Sequence, residues 1–350
     1  MTLSLSPGSL AAAASNVAGK LRGGLADLRP VPRVLIDQGP NRSVYRMSTP
    51  VEPSGGPVLL VPPLAAPSLC FDLRRGCSLA EHLVTGGRAT YLVDYGTVAF
   101  ADRGLGVEHW IDEVLPRAIR KVSEDAGGAP VRVVSWCLGG LFSLLAAADQ
   151  PSLPLESIVS IASPVDFTAI PIVAPLRPLI DLTGGYLLTP VYRLLGGAPA
   201  YLVGRAFWAT GITKEITKPL AILRNLDDRD YLAQIEAVEH FMDHMIAYPG
   251  RTFGQLYHRF FRTNDLAEGS VDLGGRVISL SGVKVPTLII AGEDDVLAPL
   301  PAVERLTDLL ENAPLVRFES APGGHLGVLT GRRARETTWR HIDEFLDTAV

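Results

Sequence analysis

A cysteine between a predicted strand and a predicted helix is the first residue that could do chemistry. The stretch VRVVSWCLGG (131–140) joins a valine-rich run to a turn of small residues, and the apolar pattern LFSLLAAADQ follows it. A strand, a tight turn and a helix form the setting of a nucleophile elbow, whose usual motif is G-x-S-x-G. Here Cys137 stands at the centre of the motif and Ser135 replaces its first glycine. Cys137 is therefore a candidate nucleophile, and the alternative is an inert thiol in an ordinary turn.

An acid and a base should follow the elbow, because the order along the chain in this arrangement is nucleophile, acid, base. The stretch TLIIAGEDDVLAP ends a predicted strand, and counting from its glycine selects Asp295 as the acid, with Asp294 as the alternative. The stretch APGGHLGVL places His325 in a glycine-rich loop after the last predicted strand. These residue types at predicted strand ends, in the expected order, predict a catalytic group of Cys137, Asp295 and His325.

Two backbone N–H groups are expected to bind the oxyanion that forms when the nucleophile attacks a carbonyl carbon. One donor is the residue after the nucleophile, Leu138. The other should lie in the loop after the strand GPVLLV, where Pro62 and Pro63 have no N–H to offer. Leu64 is the first residue there that can donate, and Ala65 is the alternative.

Cysteine as the nucleophile bears on the reaction. The thiolate is the reactive form, and a helix N-terminus or a nearby protonated histidine favours it. A sulfur nucleophile suits acyl groups that arrive as thioesters, because one thioester is exchanged for another with little change in bond energy. Hydrolases with this elbow normally carry serine at its centre. Cys137 therefore favours acyl transfer over hydrolysis.

A metal site has little support in the sequence. His240 and His244 lie four residues apart with Asp243 between them, which could place a metal pair on one helix face. No third ligand is evident, and exposed surface is the preferred interpretation. Neither a metal nor a cofactor is expected.

The remaining candidates receive structural interpretations. Cys70 and Cys77 are expected to be structural thiols, and Trp339 and His341 are expected to pack within the last helix. Asp94, in LVDYG, could end its strand near the site, although a role in a turn explains it equally well.

Composition narrows the class of protein. The chain has 350 residues, 47% of them hydrophobic and 20% charged, which suits one large domain or one domain with an insertion. Its net charge of −5 does not favour nucleic acid as a partner. Three cysteines, an odd and sparse number, argue against a disulfide framework and for a reducing compartment. The first residues lack the basic region of a signal peptide, and no apolar run is long enough for a membrane span.

Strand and helix patterns alternate along most of the chain. Continuous β-branched strands between helices predict an α/β fold, in which a mostly parallel sheet is covered on both faces. The predicted strands are 56–64, 89–96, 131–136, 155–167, 283–295 and 314–325. The predicted helices are 78–87, 107–128 with an interruption at Pro116, 141–149 and 335–347.

Three regions are predicted from this rhythm. Residues 1–32, rich in Ala, Gly, Ser and Pro, form a weakly ordered or helical arm. Residues 33–167 and 266–350 form the α/β core. Residues 168–265 are apolar at first and then charged (DDRDYLAQIEAVEHFMDHMIAYPG), and they are interpreted as a helical cap inserted after the sixth strand. A cap over the sheet edge would suit an acyl substrate or a protein contact.

Several motifs together resemble the polyhydroxyalkanoate synthase family. The stretch VPPLAAPSLCFDLRRGCSLAEHLVTGGRATYLVDYG resembles the family's run of strand, Pro-Pro, Asp-Leu pair and YLVDWG-like strand. SWCLGGLFSLLAA is similar to its cysteine-containing lipase-like box, and SIASPVDF to the strand that follows. GEDDVLAP and APGGHLGVLTG are similar to its acid and base motifs. The similarity spans roughly residues 45–345.

The resemblance implies an α/β-hydrolase fold and polymerisation of 3-hydroxyacyl-CoA thioesters with release of coenzyme A. It implies that Cys137 carries the growing chain, that His325 activates it, and that Asp295 supports His325 and the incoming hydroxyl. The length resembles the short (class III or IV) synthases, which implies an accessory synthase subunit as a partner. It also implies a homodimer in the cytoplasm, at the surface of polymer granules.

Two other functions stay open at this point. A relative of the same fold could transfer or hydrolyse one acyl group without polymerising, as a thioesterase or acyltransferase. A subunit of a granule or complex could keep the fold without catalysis, although the intact set of cysteine, aspartate and histidine counts against it.

Overall fold

The computed structural model describes residues 7–49, 52–171, 189–210 and 219–348. Its main feature is an eight-stranded sheet in the order β1-β2-β4-β3-β5-β6-β11-β12. Its strands are β1 (Arg33–Gly39), β2 (Arg42–Met47), β3 (Val58–Val61), β4 (Thr90–Asp94), β5 (Val131–Trp136), β6 (Leu155–Ile161), β11 (Thr287–Gly292) and β12 (Val316–Ala321). Two short antiparallel pairs lie outside this sheet: β7 (Gly197–Ala198) with β8 (Tyr248–Pro249), and β9 (Ser270–Leu273) with β10 (Arg276–Ser279).

Helices connect most of the sheet strands. In chain order they are α1 (Pro7–Arg22), α2 (Leu79–Thr85), α3 (Leu115–Asp125), α4 (Leu138–Asp149), α5 (Thr189–Leu195), α6 (Ala200–Thr210), α7 (Arg229–Asp243), α8 (Gly250–Gln255), α9 (Leu300–Glu304), α10 (Leu306–Leu309), α11 (Gly327–Thr330) and α12 (Thr338–Thr348). Residues 219–224 are also helical. None of the helices in the described ranges has the length and apolar character that crossing a bilayer requires.

The predicted α/β architecture is confirmed. All neighbours from β4 through β12 in the sheet pair in parallel, and only β1 with β2 and β2 with β4 are antiparallel. Every residue of β3, β5 and β11 is buried, which requires packing on both faces of the sheet. The strands are shorter than predicted, because the apolar runs continue into the loops at their ends.

Two predictions about local structure are wrong. The β1–β2 hairpin is not among the predicted strands, because β1 lies at the sheet edge and leaves Val34 and Leu35 exposed, so no clear alternation is present. The chain also stays helical through Pro116, where an interruption was predicted. A π-helical segment, His109–Val114, runs directly into α3, so only the type of helix changes, just before the proline.

The predicted cap, residues 168–265, lies between β6 and β11, and the chain between these two strands is called the insertion below. Its described part contains α5 to α8, both short antiparallel pairs and the π-helical segment Leu256–Arg262. The charged helix predicted over DDRDYLAQIEAVEHFMDHMIAYPG ends earlier than expected, because α7 stops at Asp243 and the chain then turns into β8. The first part of the apolar stretch, at 172–188, lies outside the described residues.

A group of ionic contacts fastens α7 to the core. Asp230 accepts from the buried Arg74 at 2.7 Å, from Arg332 at 2.9 Å and from Arg335 at 3.4 Å. Gln234, one turn further along α7, accepts from Arg74 at 2.9 Å and donates to the Thr330 carbonyl at 3.0 Å. One aspartate thus contacts three arginines from two separate core segments.

Replacing this aspartate should destabilise the protein. The substitution Asp230→Asn leaves Arg74 buried without its counter-charge, and we expect a loss of about 2 kcal/mol in the free energy of unfolding. Urea denaturation followed by circular dichroism measures it. Asp308→Asn is the matched control, because Asp308 forms a single exposed pair with Arg305, and it should cost less than about 0.5 kcal/mol. Equal losses in the two variants would contradict this account of the contacts.

Candidate active site

The candidate nucleophile stands at a strained turn. Cys137 follows the last residue of β5 and precedes the first residue of α4. Its backbone has φ 53° and ψ −124°, a conformation that residues with a Cβ rarely adopt. The turn is stabilised by a hydrogen bond from the Cys137 N–H to the Ile161 carbonyl at 2.8 Å. Such outliers cluster at functional sites, because only a surrounding fold that over-determines them can hold them.

Two glycines after the cysteine allow the turn to form. A Cβ at Gly139 would lie 2.5 Å from the Val61 carbonyl oxygen and 2.6 Å from that of Pro62. A Cβ at Gly140 would lie 2.1 Å from the hydroxyl of Ser163. The glycines therefore let the helix start against the end of β3 and the loop after β6.

Serine in place of the first elbow glycine is accommodated without opening the turn. Ser135 lies within β5, is fully buried, and donates its hydroxyl to the Val159 carbonyl on the neighbouring strand at 2.8 Å. This hydrogen bond satisfies the buried polar group.

The structure brings His325 together with Asp295. The Nδ1 atom of His325 lies 2.8 Å from Oδ2 of Asp295. The other carboxylate oxygen of Asp295 accepts from the N–H groups of Leu297 at 2.8 Å and Ala298 at 2.9 Å. The Asp295 side chain has no exposed surface, whereas the neighbouring Asp294 is exposed. Asp295 is thus the carboxylate that meets the imidazole.

The charges of this group are coupled. Burial alone lowers the pKa of His325, but the neighbouring Cys137 and Asp295 outweigh it and raise that pKa to about 10. Burial pushes the pKa of Asp295 upward, and the charge and hydrogen bond of His325 outweigh it, so the pKa lies below its ordinary value. Both the elbow cysteine and the buried carboxylate therefore act on the pKa of His325 in the same direction.

Trp136 contacts the candidate site, although no sequence motif indicates it. Its indole N–H donates to the His325 carbonyl at 3.0 Å, and the two rings lie 4.9 Å apart between centroids. Trp136 precedes the nucleophile on β5, so one strand end positions both the cysteine and the histidine loop.

The predicted oxyanion donors are the N–H groups of Leu138 and Leu64. Leu138 is the first residue of α4, where an N–H has no acceptor within the helix. Within the described ranges, the N–H of Leu64 likewise has no protein acceptor. The next residue, Ala65, has φ 69°, and its carbonyl accepts from the Ile246 N–H of the insertion at 2.8 Å. The insertion therefore fixes the loop that contains the second predicted donor.

Tyr248 of β8 is an insertion residue whose pKa depends on Cys137. Burial raises its pKa well above the ordinary range, and the charge of Cys137 adds to that rise. No motif pointed to it, because it lies 111 positions from the elbow in a short strand that local patterns do not predict.

The other candidates lie in structural settings. Burial raises the pKa of both the Cys70 and the Cys77 thiols, and Cys77 contacts the Thr330 carbonyl at 3.0 Å. Asp94 accepts from the N–H of Gly96 at 2.8 Å within its turn. Trp339 is buried and donates to the Leu329 carbonyl.

The two histidines of α7 contact each other but form no metal centre in the described structure. The rings of His240 and His244 lie 4.3 Å apart, and Nδ1 of His244 is 2.7 Å from the His240 carbonyl. The described residues include no group of three or more potential metal-ligating side chains. His341, on α12, lies 3.4 Å from Arg317.

Solved structures share the architecture of the chain. The putative non-heme bromoperoxidase BpoC of Mycobacterium tuberculosis superposes with a TM-score of 0.52 at 15% identity, covering 91% of this chain and 98% of that one. Mouse alpha/beta hydrolase domain-containing protein 10 gives 0.51 at 14% identity, covering 91% and 100%. The chain has the α/β-hydrolase fold.

Curated relatives narrow the resemblance further. The poly(3-hydroxyalkanoate) polymerase subunit PhaC of Allochromatium vinosum is 25% identical over 342 residues, 94% of each chain. The PhaC subunit of Thiocystis violacea is 27% identical over 310 residues, 87% of this chain and 84% of the relative. No family model matches the chain. The predicted resemblance to polyhydroxyalkanoate synthases is confirmed by these relatives, which cover most of the sequence.

The raised pKa of His325 predicts how the stability of the site depends on pH. A group whose folded pKa lies above its unfolded value of about 6.5 contributes stability fully below that value and loses it as the pH rises through the folded pKa. The difference in melting temperature between the unsubstituted protein and His325→Gln should therefore be larger at pH 6 and shrink as the pH approaches about 10. Thermal denaturation across this range measures it. A difference that grows with pH would contradict the assignment of a protonated His325.

Proposed function

We propose that the chain is an acyltransferase of the polyhydroxyalkanoate synthase type, which polymerises 3-hydroxyacyl groups delivered as CoA thioesters. One observation carries the proposal: a cysteine with positive φ at the elbow and a buried histidine–aspartate pair occur in a chain that aligns along 94% of its length with a polymerase subunit. A cysteine nucleophile suits thioester exchange.

In the first step the thiolate of Cys137 attacks the carbonyl carbon of the acyl-CoA. The negative charge that develops on the carbonyl oxygen is bound by the N–H groups of Leu138 and Leu64. The C–S bond to coenzyme A then breaks, and the departing thiolate takes the proton of the His325 imidazolium. The products are free coenzyme A and an acyl thioester on Cys137.

In the second step a hydroxyl replaces the sulfur. The 3-hydroxyl of another acyl group attacks the acyl-cysteine, and the now neutral His325 accepts its proton. The bond between carbonyl carbon and sulfur breaks, an ester forms, and Cys137 returns as a thiolate beside an imidazolium. Asp295 holds the imidazole so that its other nitrogen faces the thiol.

The insertion supports an acyl-binding cap in this proposal. Its described residues contact the loop of Leu64 through Ile246, and the charge of Cys137 contributes to the raised pKa of Tyr248. A cap in these positions would form one wall of the acyl site, at the junction between two parts of the fold where ligand sites commonly lie.

Incubation with 3-hydroxybutyryl-CoA tests the proposal. The purified protein should release free coenzyme A and form chloroform-soluble polyester, and Cys137→Ala should do neither, because the covalent intermediate is lost. Free coenzyme A is followed with a thiol reagent, and the product is extracted and identified by nuclear magnetic resonance. Turnover retained in Cys137→Ala would sink the mechanism.

The same assay separates the alternatives. Free 3-hydroxybutyrate without polyester would establish a thioesterase instead. No release with 3-hydroxyacyl-CoAs of any length, alone or with an added synthase accessory subunit, together with slow alkylation of Cys137 at neutral pH, would favour a non-catalytic subunit. Sedimentation of the same sample tests the proposed homodimer, and co-sedimentation with polyester particles tests the proposed granule surface.

The adjacent aspartates allow a matched comparison. Asp295→Asn should lower kcat for CoA release by about a hundredfold or more, because the imidazole loses its orienting carboxylate. Asp294→Asn should stay within about twofold of the unsubstituted protein, since the Asp294 side chain is exposed. Steady-state kinetics measure kcat for CoA release in both variants. A larger decrease of kcat in Asp294→Asn than in Asp295→Asn would reverse the assignment of the acid.

A further inference from the structure

A cavity lies at the junction between the insertion and the α/β core. It has a volume of about 440 Å³ and is lined by three arginines, Arg103, Arg251 and Arg259. Tyr192 of α5 forms part of its wall. Neither Cys137 nor His325 lines this cavity, so it is separate from the site of bond exchange.

The arginines of the cavity differ in their charge partners. Arg251 pairs with Glu108 at 2.8 Å, and Arg259 pairs with Asp272 at 3.1 Å and with Asp265 at 3.5 Å. Arg103 is exposed, and none of the described carboxylates pairs with it; its guanidinium lies over the Phe100 ring and donates to the Phe100 carbonyl. One positive charge therefore remains uncompensated at the cavity, in a chain whose net charge is −5. The two paired guanidinium groups are each 41% or more exposed and keep further N–H donors.

Glycine backbone forms part of the cavity wall. Gly250 and Gly254 lie one turn apart and both line it. A Cβ on Gly254 would come within 2.9 Å of the Tyr192 hydroxyl, and a Cβ on Gly250 within 3.0 Å of the Gly196 carbonyl oxygen. Side chains at either position would push α5 and the β7 strand away from the insertion helix.

An aromatic row runs from this cavity towards the elbow. Tyr248 lies two residues after Ile246, whose N–H donates to the Ala65 carbonyl, beside the predicted oxyanion donor, at 2.8 Å. The rings of Tyr248 and Phe253 are 6.1 Å apart, those of Phe253 and Tyr192 are 5.5 Å apart, and Tyr192 lines the cavity. These aromatic rings thus form a packed row between the segment that bonds to the Leu64 loop and the basic cavity.

We propose that this cavity binds the phosphorylated nucleotide end of the CoA thioester, while its pantetheine arm lies along the row of Tyr248, Phe253 and Tyr192. The proposal rests on the proposed function, because that function makes a CoA thioester the substrate. A CoA thioester reacts at one end and carries its phosphates at the other, so it needs an anion site at a distance from the nucleophile. Guanidinium groups match phosphate oxygens in geometry and charge.

A truncated substrate separates phosphate binding from chemistry. The N-acetylcysteamine thioester of 3-hydroxybutyrate keeps the reacting bond and lacks the nucleotide. The ratio of kcat/KM for the CoA thioester to kcat/KM for the truncated thioester should fall about tenfold in Arg103→Gln, because one charge-assisted contact is lost. Arg117→Gln is the control, since Arg117 is an exposed arginine paired with Glu113 on another part of the surface, and its ratio should not change. An unchanged ratio in Arg103→Gln would overturn the proposal.

A binding experiment keeps this test independent of turnover. If the protein turns over neither thioester, the proposed function fails, but calorimetric titration with coenzyme A still decides the cavity. Affinity that falls about tenfold in Arg103→Gln and not in Arg117→Gln supports the proposal. No binding of coenzyme A, or equal affinity in the two variants, overturns it.

Discussion

The positive φ of Cys137 is the constraint on which the rest of the site depends. The conformation lifts the thiol above the carboxyl end of β5 at the start of α4, and it persists only because the neighbouring backbone leaves no alternative. Parallel strands on both sides fix the end of β5. Gly139 lets the helix begin almost in contact with the carbonyl groups of Val61 and Pro62, which places the loop of Leu64 beside the nucleophile.

The insertion is tied to two of the segments that build the site. Ile246 bonds to the loop of Leu64, and Gln234 bonds to Thr330, five residues after His325. Asp230 adds ionic contacts to the segment that follows this loop. A displacement of α7 would therefore disturb the histidine loop, and a displacement of the 246 segment would disturb the predicted oxyanion donor. The element proposed to bind the acyl group is thus coupled mechanically to the groups proposed to react with it.

The sequence predicts the candidate site residues whose positions depend on strand ends and on the order of motifs along the chain. Cys137, Asp295 and His325 follow strands that read as buried apolar runs, and parallel strands bring their carboxyl ends to one edge. The residues that the sequence does not predict are those whose neighbours are distant in the chain. In the sequence Trp136 is an ordinary strand residue, and only the structure shows that its indole N–H donates to the His325 carbonyl. Tyr248 lies in a two-residue strand, which local patterns do not predict. The β1–β2 hairpin was missed because its apolar side chains lie on an exposed edge.

Solvent access bears on which acceptor the acyl group meets. The Asp295 side chain has no exposed surface and that of His325 is 10% exposed, so little water reaches the imidazole that would activate an acceptor. In the proposed mechanism, an imidazolium beside a buried carboxylate would also stabilise a thiolate on the elbow cysteine. A hydrolase must admit water to this nitrogen, whereas a transferase must admit an acceptor hydroxyl and keep water out. The enclosure of the pair and the sulfur of the candidate nucleophile therefore both support the proposed transfer to a bound hydroxyl.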